Sequence, residues 1–262
     1  MRAIIEAWQG KRILVAGDPG YDVYHFGHVD RVSPEAPVPV FVEDAIEDRP
    51  GLAYNVCQNL AALGCIPVQC FPPEPWTVKR RFMVGTHQLL RVDYDKKHYP
   101  GPFDAAVLSN IDAVVLSDYD KGWLQPWFVE ALIHQARSDA IPVIVDPKHE
   151  FSKFIGCTLI CPNQKEAENL LDWGHGPVLE KRGAQGLRLH GANGYEDFPA
   201  TAQHVFDVTG AGDTVVATLA AALAAGASLP EAAKLANLAA GHVVGEVGTV
   251  ACSAETLKSL CD

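Results

Sequence analysis

The chain has 262 residues, of which 48% are hydrophobic and 20% charged, so it can bury a sizeable core and is unlike a disordered segment. Its 21 Lys and Arg residues against 32 Asp and Glu residues give a net charge of −11, which argues against a nucleic-acid-binding protein. An anionic small molecule would need a local basic cluster.

The cysteines and the apolar stretches bear on the compartment. Seven cysteines without a CxxC pair are typical of reduced thiols in a cytoplasmic protein. The first residues lack the apolar segment of a signal peptide, and the longest apolar stretch, 215–225, is too short to span a bilayer. We therefore expect a cytoplasmic protein with no membrane partner.

Buried strands alternate with helices along most of the chain. Strands are predicted at 11–17, 112–117, 141–146, 158–161 and 186–190. Helices are predicted at 53–63, 125–137, 164–171, 211–225, 229–245 and 254–260. Continuous apolar strands in such an alternation favour a largely parallel sheet covered on both faces. Ligands of these folds bind beyond the carboxyl ends of the strands, where this sequence carries polar residues.

Two regions interrupt this alternation. The segment 37–42 alternates in polarity and contains two prolines, while the pattern of 79–84 and 88–93 predicts a hairpin. Prolines favour edge strands. These segments therefore predict a small antiparallel sheet outside the main one, which could act as a lid.

The sharpest motif is DVTGAGDT at 207–214, which leads directly into the predicted helix 211–225. Gly210 and Gly212 would let the backbone approach a ligand, and the helix start offers unpaired N–H groups and a positive dipole end. Asp213 would lie beside this phosphate site, where a carboxylate can accept the proton of an attacking hydroxyl. The alternative is an ordinary acidic cap behind a glycine turn.

Three other polar residues have two interpretations each. Asn163 and Glu166 open the predicted helix after the fourth strand, and they either organise Mg²⁺ and phosphate through water or form a capping box. Both roles can hold at once. Asn237 lies on a helix face of small and apolar residues, so its amide needs a partner, which is either a nucleotide base or a neighbouring helix.

Basic residues concentrate between 79 and 97, in contrast to the acidic remainder of the chain. This local excess would steer an anionic substrate. Because side chains alternate along strands, only some of Lys79, Arg81 and Arg91 can face inward. A solvated lid surface is the alternative for the others.

These motifs resemble the ribokinase-like (PfkB-type) carbohydrate kinases. Within that family the chain is most similar to the kinase domain of the heptose-7-phosphate kinase/heptose-1-phosphate adenylyltransferase proteins. The string at 207–214 is similar to the C-terminal motif of the family. The subgroup resemblance extends from about 11 to 250 and rests on RVSPEAPVPV at 31–40, EDRPG at 47–51 with Asn55, QLLRVD at 88–93, SDYDKG at 117–122 and DPK at 146–148.

The resemblance implies one sugar-kinase domain over 1–262 with a ribokinase-like three-layer α/β/α fold. Its largely parallel sheet would carry a small antiparallel β-lid within 24–50 and 78–95. It also implies ATP- and Mg²⁺-dependent phosphorylation of the anomeric hydroxyl of a heptose 7-phosphate, in ADP-heptose and lipopolysaccharide core synthesis.

The family pattern implies a role for each site residue. Asp213 would be the catalytic base, and Gly210, Ala211 and Gly212 the anion hole. Contacts to ATP and Mg²⁺ are implied for Asn163, Glu166 (to Mg²⁺ through water), Lys181, Gly183, Gly186 and Asn237. Contacts to the substrate are implied for Asp18, Asp22, Gly51 and Asn55 at the sugar and for Arg81, Arg91 and Lys121 at its phosphate.

The chain also departs from the family pattern. Leu52 stands where the family has the second of two glycines, and segments are missing after Cys70 and between Leu171 and Val178. No adenylyltransferase region follows the kinase region. These departures leave open a non-catalytic relative that binds a sugar phosphate or nucleotide as a regulatory subunit, or a kinase for another sugar or nucleoside. The apolar side of the lid predicts a homodimer that forms through the lid.

Overall fold

The computed structural model describes residues 1–168, 170, 176–191, 194–202, 205, 208–246 and 250–261. Its strands are β1 (Arg12–Gly17), β2 (Pro19–Val32), β3 (Pro39–Leu52), β4 (Ile66–Cys70), β5 (Thr77–Val84), β6 (His87–Tyr94), β7 (Ala113–Ser117), β8 (Val143–Asp146), β9 (Leu159–Ile160), β10 (Val178–Lys181), β11 (Leu187–Gly191) and β12 (Gly194–Phe198). Its helices are α1 (Arg2–Ala7), α2 (Ala53–Ala62), α3 (Pro126–Ser138), α4 (Gln164–Ala167), α5 (Ala211–Ala224), α6 (Leu229–Val243) and α7 (Ala254–Ser259).

Eight strands form the central sheet, in the order β12-β11-β10-β9-β8-β7-β1-β4. All neighbours from β4 to β10 pair in parallel, and β11 and β12 extend one edge with antiparallel pairing. Side chains of β1 alternate between the two faces. Ile13 and Val15 pack with α2 and α5, whereas Leu14 and Ala16 pack with α3. The three-layer α/β/α architecture is therefore confirmed.

Helix α5 runs through the interior of one helical layer. Its sequence is apolar all around, and every residue from Asp213 to Ala222 is buried. A helix without a polar face must be covered on all sides, and α2, α6, β7 and β8 cover this one. The first turn of α5 lies at the carboxyl ends of the central strands, next to Lys181 at the end of β10. Residues that are distant along the chain surround it.

A second sheet, which we call the lid sheet, has the strand order β3-β2-β5-β6. It confirms the expected separate layer and is larger than expected, because β2 and β3 are 14 residues each. The β3–β2 and β5–β6 pairs are antiparallel, as expected, but β2 and β5 pair in parallel. Strand β2 also continues almost directly from β1, which ties the lid sheet to the core.

Two local expectations differ from the structure. Helix α4 has 4 residues instead of the predicted 164–171, of which 169 and 171 lie outside the described residues. Strand β9 has only 2 residues. In the described part of the chain, no helix is both long and apolar enough to cross a membrane.

Candidate active site

The first turn of α5 brings the glycine motif together. Gly210 has the left-handed conformation, with φ 81°, that favours glycine. Thr214 N donates to Gly210 O at 3.0 Å, so the N–H groups of Gly212 and Asp213 precede the first intrahelical hydrogen bond. Such N–H groups and the positive dipole end form an anion site. Asp207, the first residue of the motif, lies outside the described residues.

Asp213 is held by two donors from distant parts of the chain. Asn55 Nδ2 donates to its Oδ2 at 2.7 Å, and the Tyr119 hydroxyl donates to its Oδ1 at 2.9 Å. The residue is 7% exposed. Burial raises the pKa of Asp213 to about 6, and the Asp146 carboxylate adds to the rise, although the bonds from Asn55 and Tyr119 oppose it. A carboxyl with such a pKa is suited to accept a proton near neutral pH.

The partner of Asp213 on α2 is itself fixed by a buried network. Asn59 Nδ2 donates to Asn55 O at 2.9 Å, and Thr214 Oγ1 donates to Asn59 Oδ1 at 2.8 Å. Both asparagines are almost fully buried. Helices α2 and α5 are thus joined by polar bonds that define where the Asp213 carboxylate lies.

Asp18 accepts hydrogen bonds from the backbone of the loop after β7. It is 2% exposed, and its carboxylate accepts backbone N–H bonds from Tyr119, Lys121 and Trp123 at 3.0 to 3.1 Å. Asp18 therefore organises the loop that carries Tyr119. Its contact with a sugar hydroxyl stays a prediction.

Asp22 and Gly51 meet at the junction of the lid sheet with the core. Asp22 Oδ1 lies 2.7 Å from Arg81 Nη2, and both side chains are 13% exposed. A Cβ on Gly51 would lie 2.5 Å from Asp22 Oδ2, so a side chain at position 51 would displace this carboxylate. Burial raises the pKa of Asp22, although Arg81 and Lys79 oppose the rise.

Leu52 joins the lid sheet to α2 in a conformation that side-chain-bearing residues rarely adopt. Its φ is 55° and its ψ −139°, a region that is essentially restricted to glycine. Its side chain is 6% exposed and lies over Gly20, where an added Cβ would come within 2.7 Å of Leu52 Cδ1. The departure at Leu52 is therefore accommodated by backbone strain and by the missing side chain at position 20.

The lid sheet has one charged face and one apolar face. Strand register aligns Glu47, Tyr24, Arg81 and Arg91 in one row across it. Lys79 lies on this same face, with its ammonium 5.6 Å from the centre of the Tyr119 ring. The adjacent residues along the four strands point to the opposite face. They form a row of Ile46, His25, Phe82 and Leu90.

The cations of the charged face differ in how they are paired. Arg91 makes two bonds to its neighbour Asp93, and Lys121 pairs with Asp95 at 2.7 Å. Arg81 Nη1 is buried and makes no hydrogen bond within the described residues. Burial lowers the pKa of Lys79, against the charge of Asp22, and no ion pair of Lys79 is found in the described part of the chain. The strand register places Lys79, Arg81 and Arg91 on the same face, so the expectation that only some of them share one face was wrong.

On the other side of Asp213, two strand ends contribute an ion pair. Lys181 Nζ, at the end of β10, lies 2.5 Å from Asp146 Oδ1, at the end of β8. The same ammonium is 3.5 Å from the position that a Cβ on Gly212 would occupy. Lys181 and Asp146 therefore lie next to the first turn of α5. We call the cluster formed by these two residues, this turn with Asp213, and Asn55 and Tyr119 the base pocket.

The Asn163 and Glu166 pair forms the capping box that the sequence allowed. Asn163 Oδ1 accepts from Glu166 N, and Glu166 Oε2 accepts from Asn163 N. The other carboxylate oxygen, Glu166 Oε1, lies 3.7 Å from Lys148 Nζ and stays outside the box. Within the described residues, no group of three or more His, Cys, Asp and Glu side chains could hold a metal by itself. A lone carboxylate that shares a metal with phosphate oxygens and water fits Mg²⁺.

Gly183, Gly186 and Asn237 lie further along the same edge. A Cβ on Gly186 would be 2.1 Å from Phe198 O, so this turn requires glycine, whereas Gly183 faces open space. Asn237 Nδ2 donates to Pro199 O at 2.7 Å. Its partner is thus a loop rather than a helix, and that loop is the one that packs on Gly186.

Sequence reasoning gave no role to Tyr119 or Asp146. Both stand in strings that carried the resemblance, SDYDKG and DPK, and both follow a buried strand. Their position at the strand ends could have indicated a functional role. Their hydrogen-bond partners are 94 and 35 residues away along the chain, so no local sequence pattern could have predicted these contacts.

Comparison with known proteins gives a consistent result. The sequence pattern of the pfkB family carbohydrate kinases matches residues 90–257. The chain is 41% identical to the bifunctional protein HldE of Pseudomonas putida (strain W619) over 94% of its own length and 63% of that protein. It therefore spans about 63% of the length of the curated relatives it matches.

The similar solved structures share the fold at low identity. Ribokinase of Arabidopsis thaliana, complexed with ribose and ATP, has a TM-score of 0.74 at 16% identity and covers 96% of this chain and 98% of that one. Ribokinase of Thermotoga maritima has a TM-score of 0.75 at 19% identity, with coverage of 97% and 99%. These likenesses establish the ribokinase-like fold.

Proposed function

The chain belongs to the pfkB family of carbohydrate kinases, and from this premise we propose that it transfers the γ-phosphoryl group of ATP to a sugar phosphate, most specifically a heptose 7-phosphate. The observation that carries the kinase proposal is Asp213, a buried carboxyl with a pKa of about 6 at the first turn of α5. It stands beside the N–H groups that can bind a phosphoryl group.

In the proposed reaction the sugar hydroxyl oxygen forms a bond to the γ-phosphorus while the bond from that phosphorus to the β,γ-bridging oxygen breaks. Asp213 takes the hydroxyl proton, and ADP leaves with the bonding electrons on its terminal oxygen. Gly210, Ala211 and Gly212 provide the turn whose N–H groups stabilise the charge of the transferring group. Asn55 and Tyr119 hold Asp213 in the orientation this requires.

The nucleotide would lie along the edge formed by the ends of β8 and β10. Lys181, Gly183, Gly186 and Asn237 are the proposed nucleotide contacts, and Asn163 and Glu166 open the helix beside them. Glu166 would hold Mg²⁺ through water with its oxygen outside the capping box. When bound, Mg²⁺ neutralises charge on the phosphate oxygens.

The sugar phosphate would lie between the base pocket and the charged face of the lid sheet. Asp22 and Asn55 are proposed to contact sugar hydroxyls, and Gly51 keeps the space that Asp22 occupies. Arg81, whose Nη1 has an unused donor in the described structure, is the best placed of the proposed phosphate ligands, with Arg91 and Lys121 at the edge. The subgroup motifs at 31–40 and 88–93 and the identity to HldE support a heptose phosphate.

The kinase assignment is tested by Asp213→Asn, which keeps the shape of the side chain and removes the base. We expect turnover to fall by about 10²–10⁴-fold, with little change in ATP affinity. Asp139→Asn, at the exposed end of α3, is the matched control and should retain activity. Equal turnover of Asp213→Asn and wild type would contradict the assignment.

The substrate assignment is tested by a panel of sugars and sugar phosphates with ATP, monitored by ADP release. We expect the highest kcat/KM for a heptose 7-phosphate. Preference for an unphosphorylated sugar or a nucleoside would overturn the heptose proposal and leave the kinase proposal intact. Nucleotide binding in calorimetry without ADP release on any acceptor would instead favour the non-catalytic relative.

The apolar face of the lid sheet supports a homodimer. Ile46 and Leu90 are 55% and 54% exposed on that face. Exposed apolar sheets are commonly covered by a second copy of the chain. Light scattering at micromolar concentration should give twice the 28.3 kDa of one chain, and a monomer mass would refute the dimer.

A further inference from the structure

The Lys181–Asp146 pair has a feature that a purely structural ion pair would not need. Its ammonium lies under Gly212, next to the N-terminal turn of α5. A cation at a helix N-terminus faces the positive end of the dipole, which is the unfavourable arrangement. Lys181 is nevertheless 17% exposed by its side chain and stays charged, because Asp146 holds its pKa above the ordinary value despite burial.

The charges around the base pocket favour a bound anion. Asp146 balances the charge of Lys181, but the dipole of α5 remains, and burial disfavours the ionised form of Asp213. In addition, an ammonium has three donors. Among the described residues Lys181 Nζ makes one hydrogen bond, to Asp146, so two donors remain. Gly212 has no side chain that would separate them from the N–H groups of the turn.

We propose that the Lys181 ammonium contacts the γ-phosphoryl group of the nucleotide during transfer, and that Asp146 is the positioning residue that holds it there. This inference rests on the proposed kinase function and deepens it. The charge of the transferring group lies on its three equatorial oxygens. Lys181 would bind one of them while Gly212 N–H binds another, and the bonds made and broken are those of the proposed reaction.

The role is distinct from that of the loop that begins at Lys181. Gly183 and Gly186 shape a turn with their backbone. The side chain of Lys181 points instead to Asp146 and Gly212, toward the reacting end of a nucleotide bound along this edge. Lys181 should therefore distinguish a triphosphate from a diphosphate, whereas the turn should not.

The experiment compares Lys181→Met with wild type in kinetics and in calorimetry. We expect kcat to fall by about 10²-fold with the KM of the sugar phosphate unchanged. In calorimetry with Mg²⁺, wild type should bind adenylyl imidodiphosphate more tightly than ADP, and the variant should lose this preference while keeping its ADP affinity. Asp146→Asn, which frees the ammonium, should give a smaller fall in kcat of about 10-fold.

The control is Lys258→Met, on α7, where the lysine pairs with Glu6. It should leave kinetics and binding unchanged. Lys181→Met with kcat within about threefold of wild type, or with equal losses of affinity for both nucleotides, would overturn the proposal. If Lys181→Met does not fold, Lys181→Gln is assayed in the same way. Because the binding ratio needs no sugar, it tests Lys181 even if the panel of acceptors fails.

Discussion

The base pocket and the charged face of the lid sheet are built in opposite ways. In the base pocket, buried side chains from α2, the loop after β7 and α5 converge on Asp213. On the lid face, cations stand in rows along neighbouring strands, and the Arg91 and Asp93 side chains are 49% and 31% exposed. The comparison suggests that the position and pKa of the base are set before substrate binds, whereas the outer part of the lid face, around Arg91, provides charge that water screens.

Substitutions in the base pocket and on the lid face should therefore change different kinetic parameters. Changes in the base pocket should lower kcat and move the pH profile, because buried hydrogen bonds to a charge are strong. Changes on the lid face should raise the KM for an anionic substrate and weaken with salt. Substitutions at Asn55, Tyr119, Lys79 and Leu52 test that division.

Asn55→Ala removes the shorter of the two bonds to Asp213 and leaves the buried carboxylate with one donor. A hydrogen bond to a charged group contributes roughly 1.5–3 kcal/mol, so we expect kcat/KM to fall by about 10²-fold. Gln58→Ala, at an exposed position of the same helix, is the matched control. A loss confined to thermal stability, with normal kcat/KM, would show that Asn55 serves packing alone.

Tyr119→Phe removes the other donor and keeps the ring beneath Lys79. Because this bond lowers the pKa of Asp213, its loss raises that pKa above about 6. The base is active when deprotonated, so activity should rise with pH through a higher value than in wild type. We expect kcat to fall about 10-fold at pH 7 and to recover partly at higher pH.

The control for this variant is Tyr195→Phe, which is exposed on β12. Its pH profile should match that of wild type. An acid limb in Tyr119→Phe at the wild-type position, measured as kcat against pH, would contradict the assigned role of the hydroxyl.

Lys79→Met tests the lid face, and Arg80→Met is its matched control, because adjacent strand residues point to opposite faces. Arg80 stacks over Tyr94 on the other side. We expect the KM for a sugar phosphate to rise about fivefold in Lys79→Met at low salt. The difference in KM between variant and wild type should shrink in about 0.5 M salt. Equal effects of the two variants would mean that bulk charge, not the face, matters.

Leu52→Gly should have the smallest effect, on stability. It relieves roughly 1–3 kcal/mol of backbone strain and loses roughly 1.5–3 kcal/mol of burial, so the free energy of unfolding should change by about 1 kcal/mol or less. Leu60→Ala, fully buried on the adjoining helix α2, should cost about 2–5 kcal/mol. Denaturant unfolding measures both, and similar losses would mean that Leu52 is unstrained.

The sequence predicted best what depends on neighbours along the chain. The apolar strands and the buried α5 needed only local patterns. Strand β2 was missed because Pro19, Gly20 and Gly27 weaken its pattern, and its pairing with β3 and β5 is what makes it a strand. The three backbone bonds to Asp18 could not be predicted for the same reason. A carboxylate after a strand looks the same whether it faces a ligand or three backbone N–H groups.

The contact between Leu52 and Gly20 couples the evolution of these two positions. Leu52 Cδ1 lies in the space next to Gly20 that a side chain at position 20 would need, so a larger residue there would require the Leu52 side chain to move. The carbonyl of Thr77 restricts the same space, so glycine at position 20 is favoured whichever residue stands at 52. A lineage with Gly20 can therefore acquire Leu52 in one step, whereas a lineage with a larger residue at position 20 must also rearrange the neighbours.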